Sequence, residues 1–409
     1  MTALTAPAVP LRRNWRFQLL WLGSSTAFLG MGAVDFAYPL VILALTRSPA
    51  AAAAFGAVQT TASVLCGVPA GALVDRGDRR RVLMAAEGLR AVVALLVAIA
   101  CLTGRLGLPL LLAVAAVLGA CAPLGSSART LLVRAVVGPD QLRAAMTQEE
   151  VRGALTGLAG PPLGGLLLAA RRVLPFAVCA LAFTVSLVTA MAVRTPPAEP
   201  RTGVSDAGSG RTGMLAGVRE LWSRRVIRSV VVLTGLINLG GNALFLAVVV
   251  LLSGQGVSPR AIGIAVTGDA IGMLLGSTLV APLHRIRPGR LLLLVSAVLT
   301  GAVFLLAVPL GPWWVCGVLA AGMLGVPAIR VLIDVLLLRQ VPDEVRGRTL
   351  TALTTLMTIG MPAGTAIGGV LMQFAGATVT ILAIGVLCLA GLVRGLADPI
   401  LRGARWPSP

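Results

Sequence analysis

Lysine is absent from this sequence, histidine and tyrosine occur once each, and only 15 residues are acidic. All 34 basic residues are therefore arginine, which suggests a GC-rich genome and carries no mechanism. The single histidine, His284, lies in a short polar loop, so a proton relay inside an apolar segment cannot use an imidazole. No Gly-x-x-x-x-Gly-Lys stretch is present to cradle a nucleotide phosphate, which argues against direct coupling to ATP. Polar side chains within the apolar runs are too sparse for a nucleophilic triad or a metal centre, so neither catalysis, a metal nor a cofactor is expected. Cysteine is scarce as well. Cys66, Cys101, Cys121, Cys179, Cys316 and Cys388 stand singly within apolar runs, as small packing residues and not as a disulfide framework.

What the chain has in quantity is apolar sequence. It is 57% hydrophobic and 12% charged, too apolar for a soluble domain of this length. Twelve runs cover 17–45, 52–74, 82–103, 108–134, 146–170, 173–194, 226–252, 260–283, 290–309, 312–338, 348–373 and 377–397. Each has the ~20 residues that a ~30 Å hydrocarbon core requires. They are continuously apolar and do not alternate, so they predict membrane helices and not a barrel. A net charge of +19 would point to nucleic acid in a soluble protein. Here the arginines recur between apolar runs and report topology instead, so no nucleic-acid partner is expected.

One set of loops carries only Arg47, Arg105, Arg171, Arg172 and Arg260, and the opposite set almost all the rest. That asymmetry places both termini in the cytoplasm of a bacterial inner membrane. The first 11 residues form a short tail without a cleavable signal pattern. Arg12, Arg13 and Arg16 then anchor the first span, and Trp15 and Trp21 suit an interfacial belt. The one long connection runs from 195 to 225. Its first part, 195–213, is rich in Pro, Gly, Ser and Thr and is expected to be flexible. Beyond it, Leu215, Val218, Leu221 and Trp222 fall at helical spacing opposite Arg219 and Arg224. That pattern predicts a short helix lying on the lipids of the inner leaflet, with a plain charged linker as the alternative.

Between the second and third runs stands a charge-dense hinge, Gly71 to Leu83, whose six ionised groups cannot sit in hydrocarbon. It resembles the loop between the second and third helices of major facilitator superfamily transporters, roughly Gly-x-Leu-x-Asp-Arg-x-Gly-Arg-Arg. Gly71, Leu73, Asp75, Arg76, Arg79 and Arg80 fall in place. Asp78 stands where most of the superfamily has glycine, a form similar to the branch of macrolide-efflux proteins and enterobactin exporters. The segments 14–21 and 45–49 are similar to the opening of that branch. The resemblance implies an all-α membrane protein of twelve transmembrane helices in two pseudo-symmetric six-helix bundles, 1–194 and 226–409, joined by the linker 195–225. It also implies that Asp75 faces the start of span eleven and latches the halves together when the cavity opens outward. A carboxylate at a helix N-terminus gains ~0.3–1 kcal/mol, which suits a switchable contact. Arg76, Arg79 and Arg80 are expected to add ion pairs with Asp140, Glu149 or Glu150.

The halves look related in their own right. Leu29-Gly30 parallels Leu239-Gly240, and the hinge at Asp75 parallels His284-Arg285. Pro139-Asp140 parallels Pro342-Asp343, and Gly164-Gly165 parallels Gly368-Gly369. The offsets run from about 203 to 210 residues, as a duplicated transporter with a midplane site gives. In span five, Gly160-Pro161-Pro162-Leu163-Gly164-Gly165 follows Gly153 and Gly157. Small residues let backbones approach closely in lipid, and the prolines remove backbone donors. The run resembles the Gly-Pro-x-x-Gly-Gly signature of exporters in the superfamily, which implies a bend that seals one side of the cavity. Tight helix packing is the plainer alternative.

Few polar groups lie at depth. Asp35 is near the middle of span one, and Asp269 at a similar depth in span eight. An ionised carboxyl there is costly, so it can load a proton from one side and release it to the other, or meet a cationic substrate. A buried structural hydrogen bond is the alternative for both. Phe36, Tyr38, Gln59, Asn238 and Asn242 are candidate cavity residues. Arg330 and Asp334, four residues apart on one helix face, form an expected ion pair. Glu87 with Arg90, and Glu149 with Arg152, read as interfacial pairs. The sequence thus predicts a transporter, working as a monomer, that uses protons to export a lipophilic or amphipathic small molecule. An importer or uniporter on the same fold is the near alternative, and a non-transporting membrane sensor the distant one.

Overall fold

The computed structural model describes residues 11, 13–193, 219, 225–308, 310–340 and 343–399, apart from the side chains of 68, 139, 225–227, 229–231, 233, 334 and 336–357. The described residues form helices and no strand. Among the described residues, eleven helical segments are long and apolar enough to cross a membrane. The expected inner-leaflet helix falls in 195–225 and lies outside the described residues apart from Arg219 and Arg225.

Two compact units emerge, 1–41 with 58–200, and 42–57 with 201–409, so the division runs through the first two helices. The first half contains α1 (Trp15–Thr46), α2 (Pro49–Arg76), α3 (Arg79–Leu102), α4 (Leu108–Val136), α5 (Leu142–Ala170) and α6 (Leu174–Ala192). The second contains α7 (Arg225–Gly254), α8 (Pro259–Val266), α9 (Gly268–Thr278) and α10 (Val280–Leu283). It continues with α11 (Pro288–Leu306), α12 (Pro312–Met323), α13 (Val326–Gln340) and α14 (Asp343–Ala397).

Apolar residues face outward here. On α3, Val92, Leu95, Leu96, Ile99 and Leu102 are exposed at helical spacing, while Glu87 and Arg90 on the same helix are buried. That inverts the pattern of a soluble helix, and hydrocarbon is the solvent it suits.

Two differences from the predicted spans have local causes. The run 260–283 is not one helix but α8, α9 and α10. At the first break the Thr267 amide turns to the Ile264 carbonyl at 3.2 Å, an i−3 bond in place of i−4. Gly268, Gly272 and Gly276 lie against the backbone at Cys316, Ala320 and Leu324, where a Cβ would overlap a carbonyl. The run 312–338 breaks between α12 and α13, where Gly325 sits against Val295. The last two runs fall on either side of a kink in α14 at Gly376, with φ 85° and ψ 169°. That backbone favours glycine.

Each unit repeats the same internal contacts. In the first, Gly160 meets Gly32, with a Cβ at Gly160 falling 2.9 Å from the Gly32 Cα, and Gly164 meets Ala33. In the second, Gly364 meets Leu239 and Gly368 meets Ala243. Likewise Gly30 is pressed against Cys179 and Ala182 of α6, and Gly240 against Ile384 of α14.

Candidate functional site

Asp35 is exposed on α1, and its carboxylate Oδ1 accepts a hydrogen bond from Gln59 Nε2 of α2 at 3.3 Å. Glycines hold both partners in place. Gly119 of α4 brings its backbone against the Gln59 carbonyl with no space for a side chain, which seats α2. Gly160 and Gly164 do the same for α1 at Gly32 and Ala33, one turn or less from Asp35. The span-five signature is therefore the surface on which the Asp35 segment rests. α5 runs on without interruption through Pro161 and Pro162, and Gly165 is buried. Gly153 and Gly157 differ, since a Cβ added at either would meet nothing within 4 Å.

The other predicted residues divide. Phe36 and Tyr38 are both buried, and Tyr38 packs on α6 with its ring 5.2 Å from that of Phe176. Asn238 and Asn242 are half-buried one turn apart on α7. Asp269 is half-buried in the first turn of α9, beside the Thr267 break, where the helix N-terminus favours a carboxylate. Its Oδ1 has no hydrogen-bond partner among the described residues. The Asp334 side chain of the expected pair with Arg330 lies outside the described residues.

At the hinge, Asp78 is the N-cap of α3, its Oδ1 accepting from the Arg80 amide at 2.9 Å and the Arg81 amide at 3.4 Å. That is the reason for a carboxylate at a place where glycine leaves the helix uncapped. Arg80 donates from Nε to the Ala190 carbonyl at 3.1 Å and from Nη2 to the Met191 carbonyl. It closes the C-terminal turn of α6, and among the described residues no carboxylate pairs with it. Asn14 works in the same way. It accepts from the Phe17 amide at the start of α1 and donates to the Val136 carbonyl ending α4. Asp75 and Arg76 are exposed, and Arg79 is half-buried. Asp75 and Gly71 share a cleft of about 360 Å³ with Ser126, Thr130 and Arg134 of α4. The span-eleven residues expected opposite Asp75 have side chains outside the described residues.

The pairs read as interfacial are not at the surface. Glu87 is 0% exposed, and its Oε1 receives Arg129 Nη2 of α4 at 2.8 Å and Arg90 Nη1 at 3.6 Å. Arg129 also donates to Ser186 Oγ of α6 at 3.3 Å. Arg152 pairs with Glu149 along α5 at 2.5 Å. The guanidinium carbons of Arg152 and Arg129 lie 4.4 and 5.5 Å from the ring centroid of Phe28, and that of Arg90 lies 5.5 Å from Phe183. Gly125 makes room, since a Cβ there would fall 3.3 Å from Arg90 Nη1. Five charged side chains from three helices thus form one buried group, bounded by aromatics of α1 and α6. Arg129 is not among the predicted residues, although a charge inside an apolar run is the plainest signal of an inward-facing site.

A model of the transmembrane secretion effector family of major facilitator transporters matches residues 5–402. The chain belongs to that family. It is a membrane transporter and not an enzyme. It is 28% identical to the enterobactin exporter EntS of Citrobacter koseri, over 98% of this chain and 95% of that protein. Among solved structures, it is similar to a bacterial homologue of the iron transporter ferroportin in an inward-facing state. The TM-score is 0.71 at 18% identity, covering 95% of this chain and 100% of that one. The nucleoside transporter NupG gives a TM-score of 0.72 at 12% identity, with 95% and 100% covered. At these identities the structural likeness establishes the fold alone.

Proposed function

We propose that this family member is a proton-driven exporter of lipophilic or amphipathic small molecules that works by alternating access. The observation that carries the reading is Asp35, a carboxyl exposed at mid-span on α1 and held by Gln59, in a chain alike along its length to proteins named as exporters. Protonation at Asp35 neutralises the one acid on that face of α1, and release restores a charge that hydrocarbon disfavours. The protein then has two conformations whose balance depends on that proton.

The architecture proposed is twelve spans in two six-helix bundles, 1–194 and 226–409. α14 supplies the last two spans, since its 40-residue apolar part is twice the ~20 residues a crossing needs and breaks at Gly376. The arginine-rich loops put both termini in the cytoplasm of a bacterial inner membrane. Gly71, Asp75, Arg76 and Arg79 form the inner gate, Arg80 tying it to α6. Asp269, Asn238 and Asn242 are the second half's polar contribution.

Expression in a host stripped of its own efflux pumps tests the direction. Cells carrying the protein should accumulate less of some members of a panel of amphipathic dyes and antibiotics than cells carrying D35N. Greater accumulation would make it an importer. Indifference to the whole panel and to D35N would leave only a non-transporting sensor.

A further inference from the structure

The buried charges do not balance. Arg90, Arg129 and Arg152 set three guanidiniums against the two carboxylates of Glu87 and Glu149, one positive charge in excess. Among the described residues, two of the three cations keep unpaired donors, Arg90 at Nε and Arg152 at two nitrogens. Arg152 has a side chain only 7% exposed, and its Nε and Nη1 have no hydrogen-bond partner among the described residues. Its Nη2 is taken by Glu149. Unpaired donors on a buried cation are costly, and a fold that needed only helix packing gains nothing by keeping them. Phe28 lies against both Arg152 and Arg129 and is still 43% exposed, so the pair reaches the open face of α1 through one aromatic ring. Asp35 is exposed two turns further along the same face, about 10 Å away by helix rise.

We infer that Arg152 and Arg129, with Phe28 above them, form a binding site for the anionic group of an aromatic or lipophilic substrate. Resting on the transport reading, this assigns the cargo a class: a carboxylate, sulfonate or phenolate on an apolar body. The body stacks on Phe28, and the anion accepts a charge-assisted hydrogen bond from a free N–H of the Arg152 guanidinium, whose two bidentate edges both include the Nη2 that Glu149 holds. Glu149 is then a competitor for the same guanidinium. Export of such an anion from a cell negative inside is aided by the membrane potential.

The test uses two probes that differ by one sulfonate, 8-anilinonaphthalene-1-sulfonate and neutral N-phenyl-1-naphthylamine. Binding of each to the full-length protein in nanodiscs is measured by fluorescence, with empty nanodiscs subtracted. The wild type should prefer the sulfonate. R152Q should weaken sulfonate binding about tenfold and leave the neutral probe unchanged, with R152K intermediate. E149Q should tighten sulfonate binding several-fold, a change no folding defect produces. Equal shifts for both probes, or a neutral-probe preference in the wild type, would overturn the assignment. Should R152Q misfold and lose both probes, E149Q decides alone, and unchanged sulfonate binding there would overturn it. None of these outcomes touches proton-driven export of uncharged compounds, which stands or falls on D35N.

Discussion

At the scale of single residues, the charges in this protein are of two kinds. Those at helix ends act locally. Asp78 starts α3, Arg80 finishes α6 and Asn14 joins the start of α1 to the end of α4. D78A should therefore lower stability by about 0.5–2 kcal/mol, with D78N close to wild type, as read from thermal unfolding in detergent. Those inside the bundle act together. Glu87 and Arg129 are both buried and joined at 2.8 Å, so removing either leaves the other uncompensated. E87Q and R129Q should each cost about 3–5 kcal/mol, and the double variant should lose clearly less than the two combined. Losses that simply add would show that the contact is not energetically real. Sequence made the two kinds hard to separate, because Glu87 and Glu149 stand near the ends of apolar runs, where surface pairs also occur. Arg129 stands no deeper in its run than Glu87 does, so the packing and not the position separates the two kinds.

At the scale of elements, glycine decides where helices touch. Gly160 and Gly164 press α5 on α1, whereas Gly153 and Gly157 on the same helix face open space. G164A should hinder the approach at Ala33, cost about 1–3 kcal/mol and reduce transport. G157A should be neutral or stabilising by about 0.5–1 kcal/mol. Matched effects at the two positions, in unfolding and dye-accumulation assays, would mean that the signature does not act through close packing. The spans themselves were legible, because a membrane-crossing helix must be apolar for its whole length and nothing else in the chain is. Their interruptions were not. The breaks at Thr267 and beside Gly325 are tied to glycines and hydrogen-bond shifts that look like any other small residues in a membrane helix. Phe36 and Tyr38 misled for a related reason: a helix that carries Asp35 on one face buries its aromatics on another, and spacing alone does not say which face is open.

At the scale of the whole molecule, the duplicated contacts explain how one pattern of glycines builds both halves, with Gly160 and Gly164 answered by Gly364 and Gly368. The ends of α1 and α2 at residues 42–57 belong to the second compact unit. There, Ser48 Oγ donates to Gln373 at 2.7 Å and Ala53 rests on Gly369. If that contact opens in each cycle, S48C/Q373C should cross-link under oxidation, stop dye efflux and regain it on reduction. Efflux that continues with the bond formed would show the contact to be static. The central claim, that a proton on Asp35 drives outward movement of cargo, is met most directly in everted membrane vesicles with an acidified lumen. Addition of a compound found by the accumulation screen should release protons from the lumen of wild-type vesicles, with no release in D35N. Protons entering together with the compound, or an undiminished response in D35N, would contradict it.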